Sequence, residues 1–329
     1  MNRKEADDRP RLLVLVGPTA IGKTALSLRL AKALNAEIIS GDSMQVYRRM
    51  NIGTAKLMPE EREGIPHHLI DICEPEHPFS VSEFQRLCTE AIQDITSRGK
   101  LPMIVGGTGL YVESVCYGFE FRERGADEAF REEMREYAAT RGNDALHAKL
   151  AAVDPASAAK LHANDVGRVV RALEVFHLTG KPPSEQQEQS RGDDKRSPYR
   201  LCIVGLTMDR AALYDRIERR IDEMLAAGLV DEVRELLDSG VPRDAISMRG
   251  LGYKEIAAYL AGEMDYEAAV ELLKRDTRHF AKRQLSWFRH MKALEWVDAD
   301  TAAKNNGLFA ATCAIIAGKF PIDLEYISS

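Results

Sequence analysis

The sequence predicts an α/β protein: a parallel sheet covered by helices on both faces, interrupted by a helical insertion and followed by a helical carboxyl-terminal region. Three observations carry this. Residues 12–16 read LLVLV, then Gly17–Thr24 form a glycine-rich turn, then ALSLRLAKAL over 25–34 has a helical pattern. Short apolar runs recur at 36–39, 67–72, 101–105 and 199–206, with helical segments between several of them. From 127 to about 180 the pattern is helical with no β-rich run. Apolar strands alternating with amphipathic helices build a parallel sheet buried on both faces, whereas a purely helical stretch has no edge to join it.

In order, LLVLV is the first strand and AEII the second, and HHLIDI over 67–72 reads as a third. Ser82 caps a helix over EFQRLCTEAIQDITSRG, with Phe84, Leu87, Ala91, Ile92 and Ile95 on or near one face and Gly99 as its stop. Leu101–Val105 is the fourth strand and runs into Gly106-Gly107-Thr108. In the insertion, one helix ends at Gly142 and the next at Pro155. After the short segment PASAAKL, Asn164-Asp165 cap a third, which Gly180 and Pro182-Pro183 end. The polar stretch 184–198 reads as a linker, and YRLCIVGL re-enters the sheet as a fifth strand. The expected division is a core of 11–120 with 199–298, an insertion of 121–198 and a tail of 299–329. Amphipathic helices follow over 210–228, 229–240, 254–262 and about 265–290, and 311–318 can form a terminal helix.

The chain has 329 residues, 45% of them hydrophobic and 29% charged, and a net charge of −6. There is no global basic signal for nucleic acid, although a local basic face would suffice. Five scattered cysteines without a C-x-x-C read as free thiols in a reducing compartment. The polar amino terminus is neither a secretory signal nor a membrane anchor, which places the protein in the cytoplasm. His67-His68 with Cys73 fit no standard zinc spacing.

Gly17-Pro18-Thr19-Ala20-Ile21-Gly22-Lys23-Thr24 matches G-x-x-x-x-G-K-[ST] between a strand and a helix. Its backbone N–H groups and the helix N-terminus can face phosphate oxygens, Lys23 can reach the outer phosphate, and Thr24 can hold Mg²⁺. The motif alone does not say which phosphate compound binds. No acidic residue ends the fourth strand, where a nucleoside-triphosphate hydrolase usually has one. Asp42, after the second strand, can support Mg²⁺, act as a general base or cap the turn. Among Arg216, Arg219 and Arg220, one arginine turned toward a leaving group is expected and the others on a solvated face. Thr19, Thr54 and Thr108 can add hydroxyl donors. Residues 274–292 hold seven basic residues (Lys274, Arg275, Arg278, Lys282, Arg283, Arg289 and Lys292) against Asp276, with Trp287 and Phe288 among them. This stretch either contacts nucleic acid or faces acidic helices of the same chain.

Taken together, GPTAIGKT (17–24), SGDSMQVY (40–47), NIGTAK (51–56), PHHLIDI (66–72), VGGTGLY (105–111), NDVGRVVRALEV (164–175), MLAAG (224–228), RGLGYK (249–254) and KRQLSWFR (282–289) resemble the tRNA dimethylallyltransferase family, also called tRNA isopentenyl or IPP transferases. The likeness runs from about residue 11 to 298 and is of the bacterial type, without the zinc-finger extension common in eukaryotic members. The resemblance implies a P-loop NTPase-like, nucleotide-kinase-like fold whose helical insertion grips the anticodon stem-loop. It implies transfer of a dimethylallyl group from its diphosphate to N6 of the adenosine beside the anticodon, position 37, in tRNAs reading codons that begin with U. The loop motif by itself reads as ATP- and nucleotide-binding; the resemblance assigns it to the donor diphosphate.

By the same resemblance Asp42 is the general base, and Lys23, Thr24 and Arg216 hold diphosphate and Mg²⁺. Asp42, Ser43, Met44, Gln45, Thr108, Arg131, Gly167, Arg168, Arg249, Gly252, Lys254 and Arg283 would contact tRNA. No obligate protein partner is implied, so a monomer is expected. A P-loop kinase and a non-enzymatic RNA-binding protein are the rival classes.

Overall fold

The computed structural model describes residues 7–121, 127–185, 197–291, 293–304 and 307–320. Parts of the amino terminus (1–6), the expected linker (186–196) and the tail (305–306 and 321–329), and Lys292, lie outside the described residues. The chain divides into two compact units, Met1–Gly118 with Ser197–Ser329, and Phe119–Arg196.

In the first unit, six parallel strands among the described residues stand in the order β3-β2-β4-β1-β5-β6. They are β1 Arg11–Val16, β2 Ala36–Ser40, β3 His67–His68, β4 Leu101–Gly106, β5 Arg200–Thr207 and β6 Leu294–Asp298. β1 is central and pairs Leu13 with Met103 on one side and with Cys202 on the other. Leu12–Val16 are essentially inaccessible to solvent, as the uninterrupted apolar run requires of a strand covered on both faces. Because β1 has neighbours reached by chain excursions in opposite directions, the loops after β1, β2 and β4 open a crevice at the carboxyl edge of the sheet.

Three sequence expectations change here. The third strand is only His67–His68, because Leu69 and Asp71 take left-handed backbone angles (φ 60° and 56°) that leave the ladder. His67 Nδ1 lies 2.8 Å from the Ile65 carbonyl and His68 Nε2 2.8 Å from Glu37, so each ring is tied within the fold. The helix expected to start at Ser82 runs Val81–Ser97 and is capped by Ser80, whose side chain accepts the Glu83 N–H. A sixth strand, LEWVD, was not expected and pairs with β5 through Leu206 and Val297. The terminal helix is Gly307–Lys319, and its Cys313 and Ile316 join the core of the first unit. All five thiols are free.

The second unit has its own apolar core of Met134, Leu146, Leu150, Val169, Val170 and Leu173. Its helices among the described residues include Glu128–Arg141, Asn143–Val153, Pro155–Ala158 and Val166–Thr179. The boundaries follow the punctuation in the sequence. Gly142 ends the first at φ 88°, Pro155 opens the short turn, and Gly180 closes the last at φ 62°.

Candidate active site

After Val16 the chain leaves β1 through Gly17, whose φ of 154° and closeness to the Leu206 carbonyl (3.1 Å from an added Cβ) make any side chain there strained. Gly22, at φ 100°, precedes the Lys23–Leu34 helix and supplies no side-chain cap, so the first N–H groups of that helix stay open to an anion. Ala20 holds φ 63°, a left-handed angle that costs about 1–2 kcal/mol for an alanine. Gly17 and Pro18 are buried behind the loop, while Thr19, Ala20, Ile21, Gly22, Lys23 and Thr24 line a cavity of about 790 Å³.

Lys23 turns its Nζ onto its own loop, donating to the Gly17 carbonyl at 2.9 Å and the Pro18 carbonyl at 2.8 Å. Burial pushes this amine down to about 7, the charge of Arg220 acts in the same direction, and Asp42 partly offsets both. Arg220 is itself held below its ordinary value by burial, against the pull of Asp42 and Glu223. Lys23, Arg220 and Asp42 therefore share one electrostatic field with an excess of positive charge.

Arg216, Arg219 and Arg220 all line the cavity, where one inward arginine was expected. The Arg210–Ala226 helix buries Leu213, Ile217 and Ile221, so the residue before each of the last two flanks the buried stripe at the crevice mouth. Arg216 is exposed and Arg220 half-buried, and neither forms an ion pair among the described residues. Arg220, more than Arg216, is the arginine whose charge reaches Lys23 and Asp42.

Asp42 sits in the turn after β2. One carboxylate oxygen accepts the Met44 N–H at 2.8 Å, which shapes the turn and leaves the other without a hydrogen bond among the described residues. The Ser43 N–H donates to Thr108 Oγ1 at 3.0 Å, and the Thr108 N–H to the Gly41 carbonyl at 3.1 Å. Gln45 accepts from Ser40 Oγ at 2.9 Å and donates to the Thr54 carbonyl at 3.2 Å. A second cavity of about 310 Å³ shares Asp42, Arg220, Met224 and Phe280 with the first. Ser43, Met44, Thr108, Arg249, Gly252, Lys254 and Arg283 line it.

Arg249 Nε donates to the Asp244 carbonyl at 3.2 Å, Lys254 pairs with Asp276 at 2.8 Å, and Arg283 lies 5.8 Å from the Phe280 ring. The basic stretch divides between its two readings. Lys274 pairs with Asp222 at 2.7 Å and Arg278 with Glu218 at 2.6 Å, both on the acidic side of a neighbouring helix. Lys282, Arg283 and Arg289 are exposed and form no ion pair among the described residues. In the second unit, Arg131 is bound to the buried Glu174 at 2.9 Å, whereas the Arg168 side chain is 72% exposed beside an open Gly167.

Two side chains of this site escaped sequence reasoning. Glu232 accepts the N–H groups of Asn51 and Ile52 at 2.8 Å, that of Gly53 at 3.1 Å and the Tyr253 hydroxyl at 2.7 Å. It thereby holds the Asn51–Lys56 turn against the cavity; within an ordinary amphipathic helix nothing marked it. Gln284 bridges two loops of the crevice; it stands in the KRQLSWFR segment that carries the resemblance, but nothing in the sequence assigned it a role.

The sheet and the crevice define a class: an α/β protein with a cationic, anion-receiving loop beside a carboxylate at the carboxyl edge of a parallel sheet. Residues 45–291 match the model of the IPP transferase family, and residues 10–73 that of isopentenyl transferase. The chain belongs to the IPP transferase (tRNA dimethylallyltransferase) family and is of its bacterial type. It is 50% identical over 313 residues to the tRNA dimethylallyltransferase of Geobacillus kaustophilus (strain HTA426), covering 95% of this chain and 98% of that one. Over 315 residues it is 49% identical to that of Bacillus subtilis (strain 168), covering 94% and 98%. The crystal structure of the full-length tRNA isopentenylpyrophosphate transferase from Bacillus halodurans superposes with a TM-score of 0.71 at 47% identity, covering 94% of this chain and 97% of that one. A eukaryotic dimethylallyltransferase acting on tRNA superposes with a TM-score of 0.77 at 29% identity, covering 96% and 82%.

Proposed function

We propose that the chain transfers the dimethylallyl group of dimethylallyl diphosphate to N6 of the adenosine next to the anticodon, position 37, in tRNAs reading codons that begin with U, and releases diphosphate. The observation that supports this most is the crevice itself: the Gly17–Thr24 loop, Asp42 and Arg216, Arg219 and Arg220 line one cavity in a chain of this family. The scaffold is read as a P-loop, nucleotide-kinase-like fold in which the loop serves a diphosphate ester instead of ATP. Residues 121–198 are read as the part that holds the anticodon stem-loop, with Arg131, Gly167 and Arg168 on it, and the protein as a cytoplasmic monomer. Among the described residues no helix is long and apolar enough to cross a membrane.

The exocyclic amine of adenine is a weak nucleophile, because its lone pair is delocalised into the ring. The amine nitrogen forms a bond to the first carbon of the allyl group, the bond from that carbon to oxygen breaks, and the electron pair leaves with diphosphate. The chain's work is to position the two partners and to stabilise charge on the leaving group. Lys23, Arg216, Arg220 and the loop N–H groups take up that charge. Asp42, on the wall shared by the two cavities, orients the amine and accepts its proton. The adenine must leave its stack to arrive there, which costs a few kcal/mol.

Mg²⁺ fits the residues present. It prefers oxygen donors and is usually bound by one or two protein groups with phosphate oxygens and water. The exposed Thr24 hydroxyl and the Asp42 carboxylate line the same cavity and are donors of this kind. Thr24 would hold the ion, which would supply further charge neutralisation on the diphosphate.

The test is incubation of unmodified tRNA with the protein, Mg²⁺ and dimethylallyl diphosphate, without ATP, followed by mass analysis of nucleosides. An adenosine heavier by one dimethylallyl group, with diphosphate released, is the expected result. ATP consumption on a small acceptor, with no modified adenosine, would make the protein a kinase.

A further inference from the structure

Gln284 lies on the Tyr266–Phe288 helix with 6% of its surface exposed. Its Oε1 accepts the Thr19 N–H at 3.0 Å, and its Nε2 donates to the Gly107 carbonyl at 3.0 Å. Thr19 belongs to the loop after β1 and Gly107 to the loop after β4. The two strands are paired up to Val16 and Gly106, where the ladder ends. Beyond that point the Gln284 amide takes the place of a ladder rung.

We infer that Gln284 is a positioning residue that sets the donor loop against the turn carrying Asp42, and that Gly107 is shaped to receive it. The inference rests on reading Gly17–Thr24 as the diphosphate loop. From Gly107 the connection continues without a break. The next residue, Thr108, donates its N–H to Gly41 at 3.1 Å and accepts the Ser43 N–H at 3.0 Å, so it grips both neighbours of Asp42. One buried amide thus joins the backbone that receives the leaving group to the backbone that aims the base. The chemistry requires a glutamine: one acceptor and one donor on the same planar group. A glutamate offers no hydrogen to Gly107, and a methionine of similar length offers neither bond. The seat is equally specific, since a Cβ at Gly107 would stand 2.1 Å from Gln284 Nε2. Gln284 also draws the Thr19 N–H away from any anion, so the phosphate contacts of the loop begin beyond Thr19.

The test compares Gln284→Met, Gly107→Ala and the double variant with the wild type. Four quantities are measured: the single-turnover rate at saturating dimethylallyl diphosphate and tRNA, the dissociation constants of diphosphate and of tRNA, and the melting temperature. Each single variant is expected to lose roughly tenfold to a hundredfold in single-turnover rate, the size of effect produced by small misplacements of reacting groups. Its tRNA dissociation constant and melting temperature stay near wild type. The double variant is no slower than the slower single one, because both changes remove the same bridge. A rate within twofold of wild type in Gln284→Met overturns the inference. So does a rate loss that runs in step with lost tRNA binding and a lower melting temperature, or losses that multiply in the double variant. A wild-type protein that binds no diphosphate would overturn the reading of the loop, and this inference with it; binding by the wild type with unchanged rates in the variants overturns the inference alone.

Discussion

The two ends of β2 carry two charge clusters of opposite design. Toward the amino end, Glu37 is nearly inaccessible and every oxygen is engaged: Arg98 reaches it at 2.7 Å, and Lys100 and His68 at 2.8 Å. The Arg98 guanidinium, with Lys100 and His68, holds its carboxyl far below the usual carboxylate range against the opposing effect of burial. Just past the carboxyl end and among the described residues, one Asp42 oxygen has no hydrogen bond, Lys23 is folded onto its own carbonyls, and Arg216 and Arg220 have no ion pair. A fully partnered cluster stabilises the fold and has nothing left for a ligand. An unsatisfied one costs stability and is poised for an anion.

Substitutions at the two ends should therefore separate activity from stability. The largest effect is expected at Asp42→Asn, which keeps the Met44 turn but removes the base. The rate should fall by about 10²–10⁴-fold with an unchanged melting curve, read by single-turnover transfer. Lys23→Met should lose about 10²–10³-fold in turnover and weaken diphosphate binding. Because its charge is disfavoured by burial, removing it should leave the melting temperature unchanged or raise it. An equal fall in stability and activity at Lys23 would abolish the distinction between the clusters.

At the other end, Glu37→Gln should cost about 2 kcal/mol of unfolding free energy while turnover stays at wild type. The figure lies below that for a fully buried pair because Arg98 and Lys100 are 39% and 34% exposed and can be rehydrated. The pH dependence has a definite sign. A carboxyl whose folded value is depressed stabilises the protein fully above its unfolded value, near 4.3, and loses that contribution as pH falls toward the folded value. Below pH about 4.3, wild type should therefore lose stability faster than Glu37→Gln, as denaturant melts at a series of acid pH values would show. The smallest effect is expected at the exposed Arg168. Arg168→Ala should weaken tRNA binding slightly and reduce the slope of affinity against salt by about one.

Much of this site was legible because its parts are contiguous. The Gly17–Thr24 loop declares its conformation through its own residues: two glycines where φ is positive, then a helix whose hydrogen bonds close locally. The Asp42 turn was visible as an acidic residue ending a strand, though its competing roles were not. The basic run at 274–292 announced its charge but not its division, because Lys274 and Arg278 meet acids on a helix some fifty to sixty residues earlier. The roles of Gln284 and Glu232 were not legible, although Gln284 lies in the KRQLSWFR segment. Each acts on backbone groups far away in sequence, and a single glutamine or glutamate in a helix carries no sign of that.

By itself the sequence determined the strand–loop–helix unit, the helix boundaries marked by Ser, Asp, Pro and Gly, and the burial of the central strands. Those follow from local hydrogen bonding and from how many apolar residues stand in a row. The tertiary structure alone decided that β4 lies between β1 and β2, that LEWVD is a strand, and that Arg220 is the arginine felt by Lys23 and Asp42. The physical reason is common to all three. A strand is completed by partners outside itself, and a long side chain takes its charge environment from whatever the packing of other elements brings within reach.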